Sequence, residues 1–232
     1  MEQLTFELAA PEPPSFANFL PGRNGEAVAG LLAIARGEAR ETVLFLWGAP
    51  GSGRSHLLRA AVAAAPAERA ALYVGAPDEL PAEPPRERAL VAVDDADTAD
   101  APAQARLFTL FNRLRDTEGQ LVVAAAAPPA RAPLRDDLRT RLGWGLVYEL
   151  LPLADADKPQ ALARYARERG FRLGEDVVDY LLMHGRRDMP TLVATLAALD
   201  RYSLASKRAV TVPLLREWLQ RDVQPPPARP MG

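Results

Sequence analysis

Gly48-Ala-Pro-Gly-Ser-Gly-Arg-Ser55 has the composition of a phosphate cradle. Gly48, Gly51 and Gly53 let backbone N–H groups converge on phosphate oxygens, and the helix expected to open next adds a favourable dipole. The pattern is G-x-x-x-x-G-[K/R]-[S/T], with Ser52 and His56 flanking the core and Ser55 placed to reach Mg²⁺. Arg54 stands where lysine is usual. Lysine is a compact point charge and arginine a planar fork that still holds phosphate bidentately. Binding is therefore expected, and weak or absent hydrolysis by this site. A second acidic element, Asp94-Asp95, ends the apolar run Ala89-Leu-Val-Ala-Val93. Beside a phosphate loop, Asp94 reads as a ligand of Mg²⁺ and Asp95 as the carboxylate that orients an attacking water. The next apolar run ends in Ala124 to Ala127, where nothing polar is available to position water.

Those residues need a scaffold. Thr42 to Trp47, Ala71 to Val74, Ala89 to Val93, Leu121 to Ala125 and Leu146 to Leu150 are short, almost wholly apolar runs, as in buried parallel strands. Between them Ser55 to Ala65 and Ala103 to Arg115 have helical spacing, as does Gly25 to Arg36 before them. Strands alternating with helices predict an α/β fold: a parallel sheet flanked by helices. After Pro152 the pattern is helical throughout, over Asp155 to Arg169, Gly174 to His184, Met189 to Ser206 and Val212 to Arg221. Asp155 and Asp188 are expected N-caps and Gly170 a helix stop. The expected organisation is a tail and Pro-rich linker at 1–14, an α/β nucleotide-binding domain at 15–152, a small all-helical domain at 153–222 and a disordered tail at 223–232.

Composition excludes several functions. The chain of 232 residues has no cysteine and two histidines, so disulfides, thiolate metal sites and cysteine nucleophiles are out. A net charge of −2 argues against autonomous DNA binding, which needs a basic footprint. All but Lys158 and Lys207 of the 28 basic residues are arginine, which reads first as compositional bias. No run has transmembrane length, which predicts a soluble intracellular protein without membrane partners. Trp47 and Trp144 read as packing residues, Trp218 as an anchor of the last helix, and His184 as a helix C-terminal charge.

Three segments together carry a resemblance: Ser15-Phe-Ala-Asn-Phe-Leu-Pro-Gly22, Gly53-Arg-Ser-His-Leu57 and Asp137-Leu-Arg-Thr-Arg141-Leu-Gly-Trp-Gly145. From Phe16 to Leu219 the chain resembles the AAA+ proteins of the DnaA/Hda family, and within it the short Hda branch. The resemblance implies an AAA+ core with a helical lid, a nucleotide held by Leu20 and the loop from Gly48 to His56, and Arg141 as an arginine finger aimed at a neighbouring subunit's nucleotide. It also matches Gln3, Leu4, Phe6 and Leu8 to a peptide that docks on the DNA sliding clamp, an extended segment offering an amide and apolar anchors to a groove. The lid's usual sensor arginine falls at Pro190. Arg186 and Arg187 are candidates to replace it, and read equally as solvated charges.

The expected function is then that of an Hda-like negative regulator of replication initiation. Bound to ADP (or ATP) with Mg²⁺, and tethered to the clamp, it would stimulate hydrolysis of DnaA-bound ATP in trans. Expected partners are DnaA and the clamp, with DNA reached only through them and a homo-oligomer possible. The location would be cytoplasmic and nucleoid-associated. The DNA-binding domain of the initiator itself is not found after the lid, which argues against that identity. The rival reading is a self-sufficient AAA+ ATPase of the helicase-loader or transposition-helper kind, and a third is a nucleotide-sensing adaptor.

Overall fold

The computed structural model describes residues 13–84, 86–185 and 188–222. The chain falls into two compact units, one spanning Pro13–Leu153 and one beginning at Ala154.

The first unit contains five strands, β1 (Val43–Trp47), β2 (Ala71–Val74), β3 (Leu90–Val93), β4 (Gln120–Ala125) and β5 (Leu146–Glu149). All pair in parallel, in the order β2-β3-β4-β1-β5. Helices α1 (Gly25–Arg36), α2 (Arg54–Ala63), α3 (Ala101–Asp116) and α4 (Asp136–Leu142) belong to the same unit. The strands are continuous apolar runs because both faces are covered. Phe45, Val91, Val93 and Val123 pack with Leu107, Leu110 and Phe111 of α3 and with Leu138 and Leu142 of α4. Their neighbours Leu44, Leu46, Ala92 and Val122 pack instead with Leu31 and Ile34 of α1 and Leu57 and Leu58 of α2. Each fully buried leucine of this kind contributes roughly 1.5–3 kcal/mol.

Two local differences from the sequence expectations have simple causes. Strand β4 begins one residue earlier, at a buried glutamine, because Gln120 is fully engaged: its amide donates to the carbonyls of Ala39 and Glu41, at 3.0 Å each, and accepts from Arg69 at 2.7 Å. Helix α4 was not expected from the sequence. Its seven residues carry a single apolar pair, Leu138 and Leu142, too short a pattern for periodicity to register.

The second unit is helical, with α5 (Lys158–Glu168), α6 (Glu175–His184), α7 (Met189–Ser206) and α8 (Val212–Asp222). Leu162, Val177, Leu181, Leu192, Leu196, Leu199, Leu214 and Leu215 form its core, and Trp218 packs against it. Asp188 caps α7, its carboxylate accepting from the Thr191 N–H at 2.9 Å. Gly170, at φ +79°, ends α5. Asp155 is not the α5 cap that the sequence suggested. It opens a 3₁₀ turn, Asp155–Asp157, and its carboxylate accepts from the ammonium of the buried Lys158, so Asp157 takes the cap position. No helix among the described residues is long and apolar enough to cross a membrane.

Candidate functional site

The phosphate loop leaves β1 after Trp47 and runs into α2. Two of its positions demand glycine by conformation: Gly51 has φ +80° and Gly53 φ +99°. Gly48 is needed for closeness, since a Cβ there would lie 2.4 Å from the Leu150 carbonyl oxygen and 2.9 Å from Ser52 Oγ. Within this tight turn Ser52 is only 5% exposed, and its Oγ has no hydrogen-bond partner among the described residues. The same is true of Nη1 of Arg54. Buried polar atoms without partners cost about 1–3 kcal/mol each. Two of them in a glycine loop at a helix N-terminus are the chemistry of a cradle that accepts an anion. Ser55 is exposed on the first turn of α2.

The acidic pair stands at the end of β3. Asp94 is 2% exposed, and both its oxygens are engaged: Oδ2 accepts from the Tyr73 hydroxyl at 2.9 Å and Oδ1 from the Asp95 N–H at 3.0 Å. Asp95 adopts φ +45°, and Arg54 Nη2 reaches its Oδ1 at 3.5 Å. Burial raises the Asp95 carboxyl above its ordinary range, Asp94 and Asp97 push it the same way, and Arg54 opposes them. Asp97 accepts from the Ala126 N–H at 3.2 Å and so ties the β4 tip beside the acids. Ala124 and Ala125 of that tip are wholly buried.

Residues 13–22 lie against the loop from outside. Ser15 and Asn18 bond reciprocally, at 2.9 and 3.2 Å. The Ser15 carbonyl accepts from Nε2 of His56 at 3.0 Å, and the Phe19 ring lies 5.4 Å from the His56 ring. Phe19 also fills the space where a Cβ on Gly53 would come within 2.6 Å. His56 is pushed below its usual pKa by burial first and by Arg59 second, with the Ser15 bond opposing. It is therefore a neutral donor that fastens this segment. Leu20 lies in the same segment, half-buried. Asn24 then joins the start of α1 to the end of β5 through paired 2.9 Å bonds with Leu151.

Arg141 belongs to a different region. It ends α4, and Leu146 of β5 pairs with Leu44 near the start of β1. Because β5 runs parallel to β1, Arg141 lies at the N-terminal ends of the strands, whereas the phosphate loop and acids lie at the C-terminal ends. Its Nη1 donates to Asn112 Oδ1 at 2.8 Å. The guanidinium sits 4.3 Å from the centre of the Phe108 ring, with Trp144 at 5.6 Å and Phe111 at 5.9 Å. Trp144 is not the packing residue expected: it is 64% exposed, touching Phe111 edge-on at 6.5 Å. Directly after it the chain runs close against β1. A Cβ on Gly145 would fall 1.9 Å from the Val43 carbonyl oxygen.

Phe108, Asn112 and Tyr73 were not singled out from the sequence. A signal existed for the first two: they stand four apart on α3, so they share one face of the helix, and Asn112 directly follows the buried Phe111. Nothing in the order of residues links Tyr73 to Asp94, because their meeting depends on β2 pairing with β3. Gln3, Leu4, Phe6, Leu8, Arg186 and Arg187 lie outside the described residues.

The helical unit matches, over residues 155–219, the family model described as the lid domain of Hda. The whole chain is similar to domain III of the replication initiation protein DnaA from Thermotoga maritima, with a TM-score of 0.77 and 21% identity, covering 92% of this chain and 98% of that one. AMPPCP-bound DnaA from Aquifex aeolicus superposes with a TM-score of 0.68 at 19% identity, covering 91% and 70%. The Holliday junction branch migration motor RuvB of Thermotoga maritima gives 0.66 at 15%, covering 90% and 72%. At such identities the likeness speaks for the fold, a parallel five-stranded sheet with flanking helices followed by a helical lid. What is shown is thus that fold, together with a lid match confined to residues 155–219.

Proposed function

We propose that this chain is a nucleotide-bound regulator of replication initiation that stimulates hydrolysis of DnaA-bound ATP in trans, while tethered to the DNA-loaded sliding clamp. The observation that carries the reading is the placement of Arg141. It stands at the strand ends opposite its own phosphate loop, held by Asn112 and an aromatic face, so its guanidinium is available to another subunit's nucleotide. Such a guanidinium neutralises charge developing on the transferred phosphoryl group, worth about 10³–10⁵ in rate.

The chain's own loop takes the other role, retention. Backbone N–H groups of residues 48–55, Ser52 Oγ and Arg54 hold the phosphates of a nucleotide, ADP in this reading; the AMPPCP-bound DnaA neighbour supports nucleotide binding in general. Turnover there is disfavoured because Asp95 faces Arg54 and the β4 tip is alanine. The Mg²⁺ that the sequence assigns to Ser55 and Asp94 would share Asp94 with two protein hydrogen bonds, one on each oxygen, and would find Ser55 exposed on the first turn of α2. The segment with Gln3, Leu4, Phe6 and Leu8 serves as the clamp peptide, residues 15–152 as the nucleotide-binding domain and 153–222 as the lid. Localisation at the nucleoid then follows from the clamp rather than from a basic face, in keeping with the net charge of −2.

The test combines the protein with ATP-loaded DnaA and clamp-bearing DNA, and follows ADP formation on DnaA. Arg141→Ala abolishes stimulation and leaves clamp binding intact. Gln3→Ala with Leu4→Ala loses clamp binding and stimulation together. Robust ATP hydrolysis by the protein alone, abolished by Asp95→Ala, would reverse the assignment in favour of a self-sufficient ATPase.

A further inference from the structure

Arg54 departs from the usual lysine in a way that has a structural counterpart. Its side chain is 12% exposed, its Nη2 faces Oδ1 of the exposed Asp95 at 3.5 Å, and its Nη1 is enclosed without a partner among the described residues. One planar group thus presents one nitrogen to the acid and keeps another, still without an acceptor, enclosed. A lysine ammonium donates from a single nitrogen, so it serves two acceptors only where both lie within hydrogen-bond reach of one point. The neighbouring carboxylate, Asp94, is held by one protein hydrogen bond on each oxygen. Tyr73 donates to one oxygen and the Asp95 amide to the other. Ser52 Oγ, 5% exposed and unpartnered, lines the same loop.

We propose that the Arg54 guanidinium is the bridging cation of this site, so that the loop binds a free nucleoside diphosphate and does not require its magnesium complex. The inference rests on the reading of the loop as a nucleotide site. In most phosphate loops a divalent ion lies between the acidic pair and the phosphates and offsets both sets of negative charge. Here Arg54 lies between them: Nη2 keeps Asp95 and Nη1 takes a phosphate oxygen as a charge-assisted hydrogen bond. Tyr73 acts as a positioning residue, holding Asp94 in a hydrogen bond that needs no metal. The ligand class is any nucleoside diphosphate, with the two phosphates, rather than a coordinated ion, supplying the charge that Arg54 meets.

The experiment is calorimetric titration of the full chain with ADP, in excess Mg²⁺ and again in EDTA. The affinity should differ by less than about threefold between the two buffers. Arg54→Lys, which keeps the charge but removes the fork, should make binding depend on magnesium, with EDTA weakening it about tenfold or more. Tyr73→Phe, which releases one Asp94 oxygen, should shift the wild-type pattern the same way by a smaller factor. A tenfold or greater loss for the wild-type chain in EDTA would overturn the bridging role while leaving the nucleotide reading standing. Equal insensitivity to EDTA in wild type and Arg54→Lys would also overturn it, because the fork would then be irrelevant. No binding in either buffer would remove the nucleotide reading itself, and this inference with it.

Discussion

The two ends of the sheet treat their charged groups in opposite ways. At the C-terminal ends of the strands, charge is turned inward: Arg54 faces Asp95, Tyr73 holds Asp94, and Asp97 holds the Ala126 amide. At the N-terminal ends, Arg141 has no carboxylate partner among the described residues and rests on neutral groups, Asn112 and the Phe108 face. A guanidinium paired with a carboxylate has its charge cancelled locally. One held by an amide and a π-face keeps its charge while losing some of its freedom. The first arrangement fixes a guanidinium beside the phosphate loop, and the second suits presentation of a cation. Under the proposed function, one fold thus separates nucleotide retention from presentation of Arg141 by the length of its strands, rather than merging them in one pocket.

The comparison is broken most directly at the presenting end. Arg141→Ala should lower stimulation of DnaA-bound ATP hydrolysis by about 10³-fold or more, with ADP binding by the chain itself unchanged. If ADP affinity fell in parallel, the two ends would not be independent. A smaller effect is expected at the pivot after the finger. Gly145→Ala puts a Cβ against the Val43 carbonyl and should cost about 1–3 kcal/mol of stability, read as a fall in thermal midpoint. The same substitution at Gly25, where the space beyond the Cα is open, should leave the midpoint almost unchanged.

Asn112→Ala should cost less than loss of the finger, about tenfold in stimulation, because the guanidinium keeps its aromatic support and loses one charge-assisted bond worth about 1.5 kcal/mol. Asn112→Asp sharpens the contrast between the two ends. It gives Arg141 a carboxylate, as Arg54 already has, and should reduce stimulation although the hydrogen bond survives. Measurement of ADP formation on DnaA with both variants distinguishes loss of position from loss of charge.

What the sequence made legible was what local order encodes. The glycines of the loop, the apolar strands, the lid helices and the cap at Asp188 each follow from residues within a few positions of one another, and the positive φ at Gly51 and Gly53 explains why only glycine serves there. The acidic pair was legible as well, but its partners were not. Tyr73 reaches Asp94 only across paired strands, and Arg54 reaches Asp95 only once the loop has folded over the end of β3. Trp144 shows the opposite failure. A large aromatic beside glycines reads as core until the backbone contact after it is known, and that contact is with β1, a hundred residues earlier in the chain.

The smallest effect tests the retaining end through pH. His56 fastens residues 13–22 by donating to the Ser15 carbonyl, and burial lowers its pKa in the folded chain. In the unfolded chain the ring titrates near 6.5. Between that value and the lower folded one, the unfolded state binds a proton that the folded state does not. Stability contributed by the neutral ring is therefore full above pH 6.5 and declines as pH falls through this window. The loss should be small, because the ring is only partly enclosed and Ser15 accepts from either protonation state. His56→Gln retains a donor without a titrating group, so the wild-type chain should lose thermal midpoint between neutral pH and about pH 5.5 and the variant should lose less. Arg141→Ala, at the other end of the sheet, should show the wild-type slope. An equal slope in wild type and His56→Gln would mean that residues 13–22 are held over the loop by Phe19 and apolar packing alone.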